Sequence, residues 1–516
     1  MALDDTQVFL PEVWASHARF RADKLALVCG ADRYTWGELS HRCNMMANQL
    51  LAVDLGKPAR VATLMGNSGE TAIALLGIMK SGACVVPMST LLTPAQVATL
   101  LMDSGADALI TDVANQVLAN QALELLHEPL SGPCLLSGGS AEGWTNLRDW
   151  LGAGDGSEPA VRYSLDDEFN IIYSSGTTGT PKGIVQSHRA RQHWSYSNAL
   201  ELRMDHNTVA LATTSLYSNG TWFMLLPPLF VGATVVVMDA FTPDGWLSLL
   251  GAEGVTHTFM VPTQYIGVLE SPALDNADLS SLRYMLSAGS PLRQDTKDAV
   301  LERLGPGLFE LYGFSEGFAT ICRPEQHHKR GSVGTPVIGF DLRIIDDEGN
   351  EVAPGEAGEI AGYGGGLMTG YHRRDAETDA AIWRDARGRT FLRSGDIGKV
   401  DEDGFLYILD RKKDMILSGG FNIFPKDIEE VVGAHPEVSD VTVIGVPDPK
   451  WGETPIALVI PVPGAEVDTS SLLAWANENL SKTQRLKAVE LREEFPRNAL
   501  GKVIKRELRE PYWAEQ

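Results

Sequence analysis

The residues best equipped for chemistry stand in the stretch 171-IIYSSGTTGTPKGIVQSH-188. An apolar run leads into Ser174, Ser175, Gly176, Thr177, Thr178 and Gly179, and Lys182 follows. Hydroxyls, glycines that admit close backbone approach, and one cation are the groups that hold phosphate. The obvious candidate is a P-loop, which needs G-x-x-x-x-G-K-[ST]. Aligned on Gly176 and Lys182, the stretch has Pro181 where the second glycine belongs and Gly183 where the metal-binding hydroxyl belongs. Pro181 has no N–H to offer a phosphate. Behind the lysine, Gly183-Ile-Val-Gln reads as extended, and a helix is predicted only from Ser187, so no helix N-terminus faces the phosphate. The loop suits phosphate but is not a P-loop.

Five more segments carry polar residues at glycine turns: 287-SAGSPL-292, 312-YGFSEG-317, 393-RSGDIG-398, 410-DRKKDMILSGGFNIFP-425 and 496-PRNALGK-502. Together with S-S-G-T-T-G-x-P-K-G, in this order and over nearly the whole chain, they resemble the adenylate-forming superfamily. That superfamily holds acyl-CoA synthetases, coumarate-CoA ligases, luciferases and carrier-loading adenylation domains. The resemblance implies a two-step reaction. A carboxylate attacks the α-phosphorus of ATP to give acyl-AMP and diphosphate, and a thiol then displaces AMP. Chemistry of this kind asks mainly for positioning and charge stabilisation.

The resemblance also implies roles. Lys182, with the hydroxyl and glycine neighbours from Ser174 to Gly179, holds the β- and γ-phosphates. Glu316, assisted by Thr178, ligates Mg2+, a hard ion that takes oxygen ligands. Tyr312 packs against the adenine, with Gly313, Phe314 and Ser315 beside it and Gly289, Ser290 and Pro291 on the other side. Asp396 accepts the ribose hydroxyls and Arg411 approaches them. Lys502 bridges the incoming carboxylate and the α-phosphate. Lys413 is the pivot of a small domain that reorients between the two steps, and Gly419 and Gly420 admit the pantetheine arm of CoA. The acyl pocket is assigned to Tyr217, Ser218, Trp222, Ser287, Gly289, Phe314, Gly317, Pro336 and Val337. In 216-LYSNG-220 the family's P-L-F-H-x-x-G has lost its histidine to Ser218. Tyr217 and Trp222 suit an aromatic or medium-length acyl group. No cation stands in these pocket segments, which disfavours a dicarboxylate or an amino acid. Thr483, Gln484 and Leu486 also depart from the family pattern. His257, His327 and His328 lack metal-ligand spacing and read as structural or solvated.

The elements that must position these groups read as α/β. From Arg60 to Thr111 strand-like and helix-like runs alternate, the pattern of a parallel sheet covered by helices. Gly82-Ala-Cys-Val-Val-Pro-Met is echoed by Gly232-Ala-Thr-Val-Val-Val-Met, and each is followed by Thr-Pro (Thr93-Pro94, Thr242-Pro243) and a helical run. The large domain is therefore expected to hold two similar α/β halves. After Asp341, glycine turns separate short β runs, a small strand-rich subdomain. Beyond the boundary placed at Asp410 to Lys413 lies a small α+β domain. The division expected is 1–410, the large adenylate-binding domain, and 411–516, a mobile C-terminal domain carrying the catalytic lysine.

Composition sets the remaining limits. A chain of 516 residues is too long for one core. A net charge of −24 disfavours nonspecific nucleic-acid binding. The five cysteines are scattered without CxxC spacing, as buried thiols of a reducing, cytoplasmic compartment would be. The opening residues show no signal sequence, and Pro227, Pro228 and Gly232 interrupt the apolar run Trp222–Met238, so no membrane span is predicted. The function expected is an acid–CoA ligase using ATP, CoA and Mg2+ on an aromatic, cinnamate-type acid or a medium-to-long fatty acid. A carrier-loading acyl-AMP ligase, a luciferase-like oxygenase and a non-catalytic nucleotide-binding regulator are the alternatives. The partners are the acid, ATP and CoA, and a homodimer is the assembly to test.

Overall fold

The computed structural model describes residues 7–174, 181–418, 421–497 and 503–513. The chain forms two compact units. One holds Met1–Arg330, Pro336–Asp341 and Tyr363–Ile382, and the other holds Gly331–Thr335, Leu342–Gly362 and Trp383–Gln516.

The first unit contains fifteen strands used below: β1 Leu25–Cys29, β2 Asp32–Thr35, β3 Arg60–Leu64, β4 Cys84–Pro87, β5 Ala108–Asp112, β6 Cys134–Ser137, β7 Thr145–Asn146, β8 Glu168–Ser174, β9 Lys182–Ser187, β10 Val209–Ala212, β11 Thr234–Val237, β12 His257–Met260, β13 Tyr284–Ser287, β14 Leu308–Phe314 and β15 Phe318–Cys322. One sheet runs β9-β8-β4-β3-β5-β6-β7 and the other β15-β14-β13-β12-β10-β11-β1-β2. β4, β11 and β12 are buried along their whole length, as strands covered by helices on both faces must be.

The sequence echo is a repeat of topology. β4-β3-β5-β6 and β11-β10-β12-β13 have the same order, and all their pairings are parallel. The helices after β4 and β11, Pro94–Ser104 and Pro243–Glu253, are capped alike. A threonine side chain accepts an amide hydrogen bond at each N-terminus, proline takes the first turn, and a left-handed glycine (Gly105, Gly254, both at φ 63°) ends the helix. Each half is flanked by an antiparallel hairpin whose first strand lies parallel to the repeat. β8-β9 flanks β4, and β1-β2, from the start of the chain, flanks β11 in the second sheet.

A sheet carried mostly by residues of the second unit is built on Phe340–Ile345, Gly358–Gly364, Thr390–Val400 and Ile382–Arg384, and also pairs Leu406–Arg411 against Thr390–Val400. The junction expected at 410/411 thus falls on the last residues of a paired strand. A further sheet is built on the hairpin Val438–Asp448/Gly452–Pro461, with Ala488–Leu491 parallel to it. Helices Pro425–Gly433 and Thr469–Asn479 cover that sheet through Ile428, Val432, Leu472 and Ala476. The apolar run Trp222–Met238 resolves into a 3-10 turn, a short helix and β11, and among the described residues no helix is long and apolar enough to cross a membrane.

Candidate active site

β8 and β9 are antiparallel with Ser174 opposite Lys182, so the two ends of the glycine-hydroxyl loop are pinned by a ladder. Ser175, Gly176, Thr177, Thr178 and Gly179 lie outside the described residues. β9 continues to Ser187, whose side chain caps the helix His188–Glu201. This is the extended-then-helix order expected, and it removes any helix N-terminus from behind Lys182. The lysine instead lies over the face of Tyr371, its Nζ 4.8 Å from the ring centroid. Tyr371 belongs to a two-residue strand, Gly370–Tyr371, paired with β9. Its hydroxyl donates a 2.6 Å hydrogen bond to Glu316 Oε1. Burial first, and then the Glu316 carboxylate, hold the Tyr371 phenol well above its ordinary pKa, so the hydroxyl stays a donor.

Glu316 is set by backbone contacts. Its carbonyl accepts from the Met368 amide at 2.7 Å, and Gln186 Nε2 donates to the Ser315 carbonyl at 3.0 Å. Gly317 has φ +111°, and a Cβ there would stand 1.9 Å from the Gly366 carbonyl oxygen, so only glycine lets the two loops meet. Glu316 suits a hard divalent cation. It is a half-buried carboxylate, and only one of its oxygens accepts a hydrogen bond among the described residues.

The adenine-side segments emerge from the carboxyl ends of neighbouring parallel strands. Ser287 ends β13 and is buried, Gly289 follows at φ +93°, and Ser290 and Pro291 continue the turn. Tyr312 and Gly313 lie two and three residues past the β13–β14 pairing, in the part of β14 that pairs with β15. Phe314 stacks 5.5 Å from Phe318. Ligands of α/β sheets collect at such strand ends.

The acyl-side segment leaves the end of β10 and is clamped by Asn67. The Asn67 side chain accepts from the Leu216 amide at 2.8 Å and donates to the Thr214 and Met238 carbonyls. Tyr217 and Ser218 are half-buried. Trp222 is fully buried and donates to the Leu216 carbonyl at 2.8 Å. Phe223 stands 4.5 Å from Trp194 and 6.3 Å from Phe259. Buried Val337 and half-buried Pro336 are held by the Arg323–Glu201 ion pair, since Arg323 donates to the Pro336 carbonyl and Glu201 accepts from the Ile338 amide. The helix His188–Glu201 places a cation behind this segment. Arg191 lies fully buried with its guanidinium 4.7 Å from the Trp222 ring centroid.

In the second unit, Asp396 and Arg411 meet across the strand pair, with Arg411 Nε 2.8 Å from Asp396 Oδ1. Lys413 follows the strand end. Arg509, from the last helix, donates to the carbonyls of Lys413 and Asp414 at 3.1 Å each. Lost hydration, and then the charges of Arg411, Arg509 and Arg506, hold the Lys413 ammonium below its ordinary pKa, with Asp414 opposing them. Lys502, Gly419 and Gly420 lie outside the described residues. Both ring nitrogens of His257 lie within hydrogen-bond distance of protein oxygens, Thr256 Oγ1 and the Leu202 carbonyl, and His327 Nε2 lies 2.9 Å from the Leu308 carbonyl.

Sequence reading missed Tyr371, Asn67, Gln186 and Arg191. The one available signal was Gly370-Tyr371, close after the glycine run 364–366.

Family models match most of the chain, that of AMP-binding enzymes over residues 14–372 and that of the AMP-binding enzyme C-terminal domain over 427–502. The chain is similar to a feruloyl-CoA synthase of an Amycolatopsis species, 35% identical over 95% of this chain and 96% of that protein. It is 31% identical to the indoleacetate–CoA ligase of Aromatoleum aromaticum, over 96% of each. Among solved structures, ATP-bound MatB from Rhodopseudomonas palustris matches with a TM-score of 0.87 at 28% identity, covering 98% of this chain and 99% of that one.

Proposed function

This chain belongs to the AMP-binding, adenylate-forming enzyme family, and from that premise we propose which acid it activates. It is an AMP-forming acid–CoA ligase that converts acid, ATP and CoA to acyl-CoA, AMP and diphosphate through an acyl-adenylate, with Mg2+. The acid we propose is an aromatic monocarboxylate of the cinnamate type. The observation that carries this is the aromatic packing around the acyl segment, where Phe223 stands against Trp194 and Phe259 and Trp222, next to it in the chain, is fully buried. Such walls favour a flat ring over a long flexible chain. The names of the relatives, feruloyl and indoleacetate, support the same class.

The motifs support the following roles, and for Lys182, Tyr371 and Glu316 the contacts described above support them too. Lys182 holds the β- and γ-phosphates, and Tyr371 holds the Glu316 carboxylate in place. Glu316 and Thr178 would hold magnesium, which when bound offsets phosphate charge. Tyr312 and residues 289–291 take the adenine, and Asp396 and Arg411 the ribose. Lys502 offsets the repulsion between the acid's carboxylate and the α-phosphate as the new P–O bond forms and diphosphate leaves. The thiol of CoA then attacks the acyl carbonyl, gives up its proton, and AMP leaves. We place the pivot between these steps at Lys413, with the part from 411 onward turning as the mobile domain. Gly419 and Gly420 are the proposed path of the pantetheine arm. Five free cysteines support a cytoplasmic location, and a homodimer is the assembly to test by light scattering. A CoA-consumption assay across benzoates, cinnamates and C4 to C16 fatty acids tests the acid class. Turnover of C16 above every aromatic acid would overturn it.

A further inference from the structure

Arg191 is a full charge in the core without a counter-charge. Its side chain is completely buried. Nε donates to Asn170 Oδ1 at 2.7 Å and Nη2 to Asn219 Oδ1 at 2.8 Å, both neutral amide oxygens. Nη1 is buried with no hydrogen-bond partner. The ring centroids of Trp222 and Trp194 lie 4.7 and 5.3 Å from the guanidinium carbon. Burial alone acts on its ionisation and pulls it down to about 9, so among the described residues no carboxylate offsets it, and at neutral pH it remains charged. Buried arginines are ordinarily paired, because an uncompensated charge in a dry interior is costly. Here the compensation is missing beside the segment proposed to line the acid. Asn219 opens the 3-10 turn Asn219–Met224, which follows Tyr217 and Ser218 and carries Trp222.

The strand register gives the distance. Asn170, which holds Nε, lies four positions before Ser174 on β8, and Ser174 faces Lys182 at the phosphate end. At the strand rise this is ~13 Å along β8. The residue that anchors the guanidinium thus stands well back along β8 from the phosphate end, on the side where the part of the acid remote from its reacting carboxylate would lie. Asn170 also contacts Gln186 (3.4 Å), which donates to the Ser315 carbonyl next to Glu316, so the guanidinium is fixed relative to the catalytic motif.

We propose that Arg191 is a specificity-determining residue whose free Nη1 donates to an oxygen acceptor on the far end of the acid, such as a phenolic or methoxy oxygen. This rests on the acyl site being where the family resemblance and Trp222 put it. The planar fork of arginine suits the role. Two nitrogens are spent on holding it rigid and the third is left for the substrate. A site built to hydrogen-bond an oxygen rejects the analogue that lacks it, because the buried donor is then left unmet.

The test uses matched acids on the full-length enzyme: cinnamate against 4-hydroxy- and 4-methoxycinnamate, and decanoate against 10-hydroxydecanoate. Wild type should favour the oxygenated member of a pair by tenfold or more in kcat/KM. Arg191→Met, which keeps the length and loses the donors, should abolish or invert that ratio while retaining turnover of the plain acid. Arg191→Lys should recover part of the preference. Equal use of both members by wild type overturns the proposal whatever the variants do. So does an Arg191→Met enzyme that folds but loses both members equally. Should Arg191→Met fail to fold, the wild-type ratios and Arg191→Lys decide. The comparison between aromatic and aliphatic pairs reports on the acid class separately, so a fatty-acid preference would refute that reading and leave the within-pair ratio to judge Arg191.

Discussion

Tyr371→Phe isolates one hydroxyl in the phosphate end of the site. The ring remains, so the contact of Lys182 with its face is kept, and only the 2.6 Å donation to Glu316 is lost. A hydrogen bond to a carboxylate contributes about 1.5–3 kcal/mol net. Tyr371 and Glu316 are both half-buried, which places the effect near the lower figure. About 1.5 kcal/mol corresponds to roughly a tenfold change in affinity. Loss of a residue that orients a metal-binding carboxylate falls in the same range, about 10–100-fold in metal affinity. Equilibrium binding of Mg·ATP should therefore weaken about tenfold in Tyr371→Phe, with KM for the acid within about twofold of wild type. Tyr371→Ala should add about 0.5–1 kcal/mol by removing the ring from Lys182. Unchanged Mg·ATP binding in the phenylalanine variant, or a shift confined to the acid, would refute the assignment of Glu316 and Tyr371 to the phosphate end.

Three further outcomes can be checked. Lys182→Ala should raise KM for ATP and leave the ranking of acids unchanged; an altered ranking with normal ATP use would count against its phosphate role. Lys502→Ala should stop diphosphate release yet still turn supplied acyl-AMP and CoA into thioester, whereas Lys413→Pro should form acyl-AMP and fail at the thioester. Equal loss of both activities in both folded variants would remove the two-conformation reading. Burial holds His188 and His257 near a pKa of about 4. Unfolded histidine titrates near 6.5, so between these values the unfolded chain binds protons that the folded one refuses. Stability should be full above about pH 6.5 and fall towards pH 4 by up to about 3 kcal/mol per ring. His188→Phe, set among Phe9, Tyr163 and Phe169, should flatten about half of that slope in urea titrations; an unchanged slope refutes it.

What was legible in the sequence was local. Thr-Pro caps and left-handed glycines mark helix ends at Pro94–Ser104 and Pro243–Glu253, and apolar runs of four or five residues mark β3, β4, β5 and β11. What was hidden depends on pairing between distant segments. Tyr371 matters because a two-residue strand lies on β9, and nothing around it in sequence announces that partner. The helix His188–Glu201 is rich in polar residues, yet Arg191, Asn198 and Glu201 are buried. A solvated cation and a core cation are spelled alike, and only the packing of Trp194 and Trp222 separates them.

The exchange of hairpins between the two repeats bears on how the chain reaches its native state during synthesis. β1 emerges first from the ribosome, but its parallel partner is β11, with Leu27 opposite Val235. At about 5–20 residues per second the apolar strand waits ~10–40 s for that partner. Until then its edge is open to misplaced pairing, a liability that chaperones manage. The first repeat does not wait so long, since β8 and β9 complete its sheet from the adjoining sequence. Nascent chains arrested before residue 234 should therefore show the β3–β6 core protected from protease while the first forty residues are cut. Protection of those residues should come only once β11 has been released.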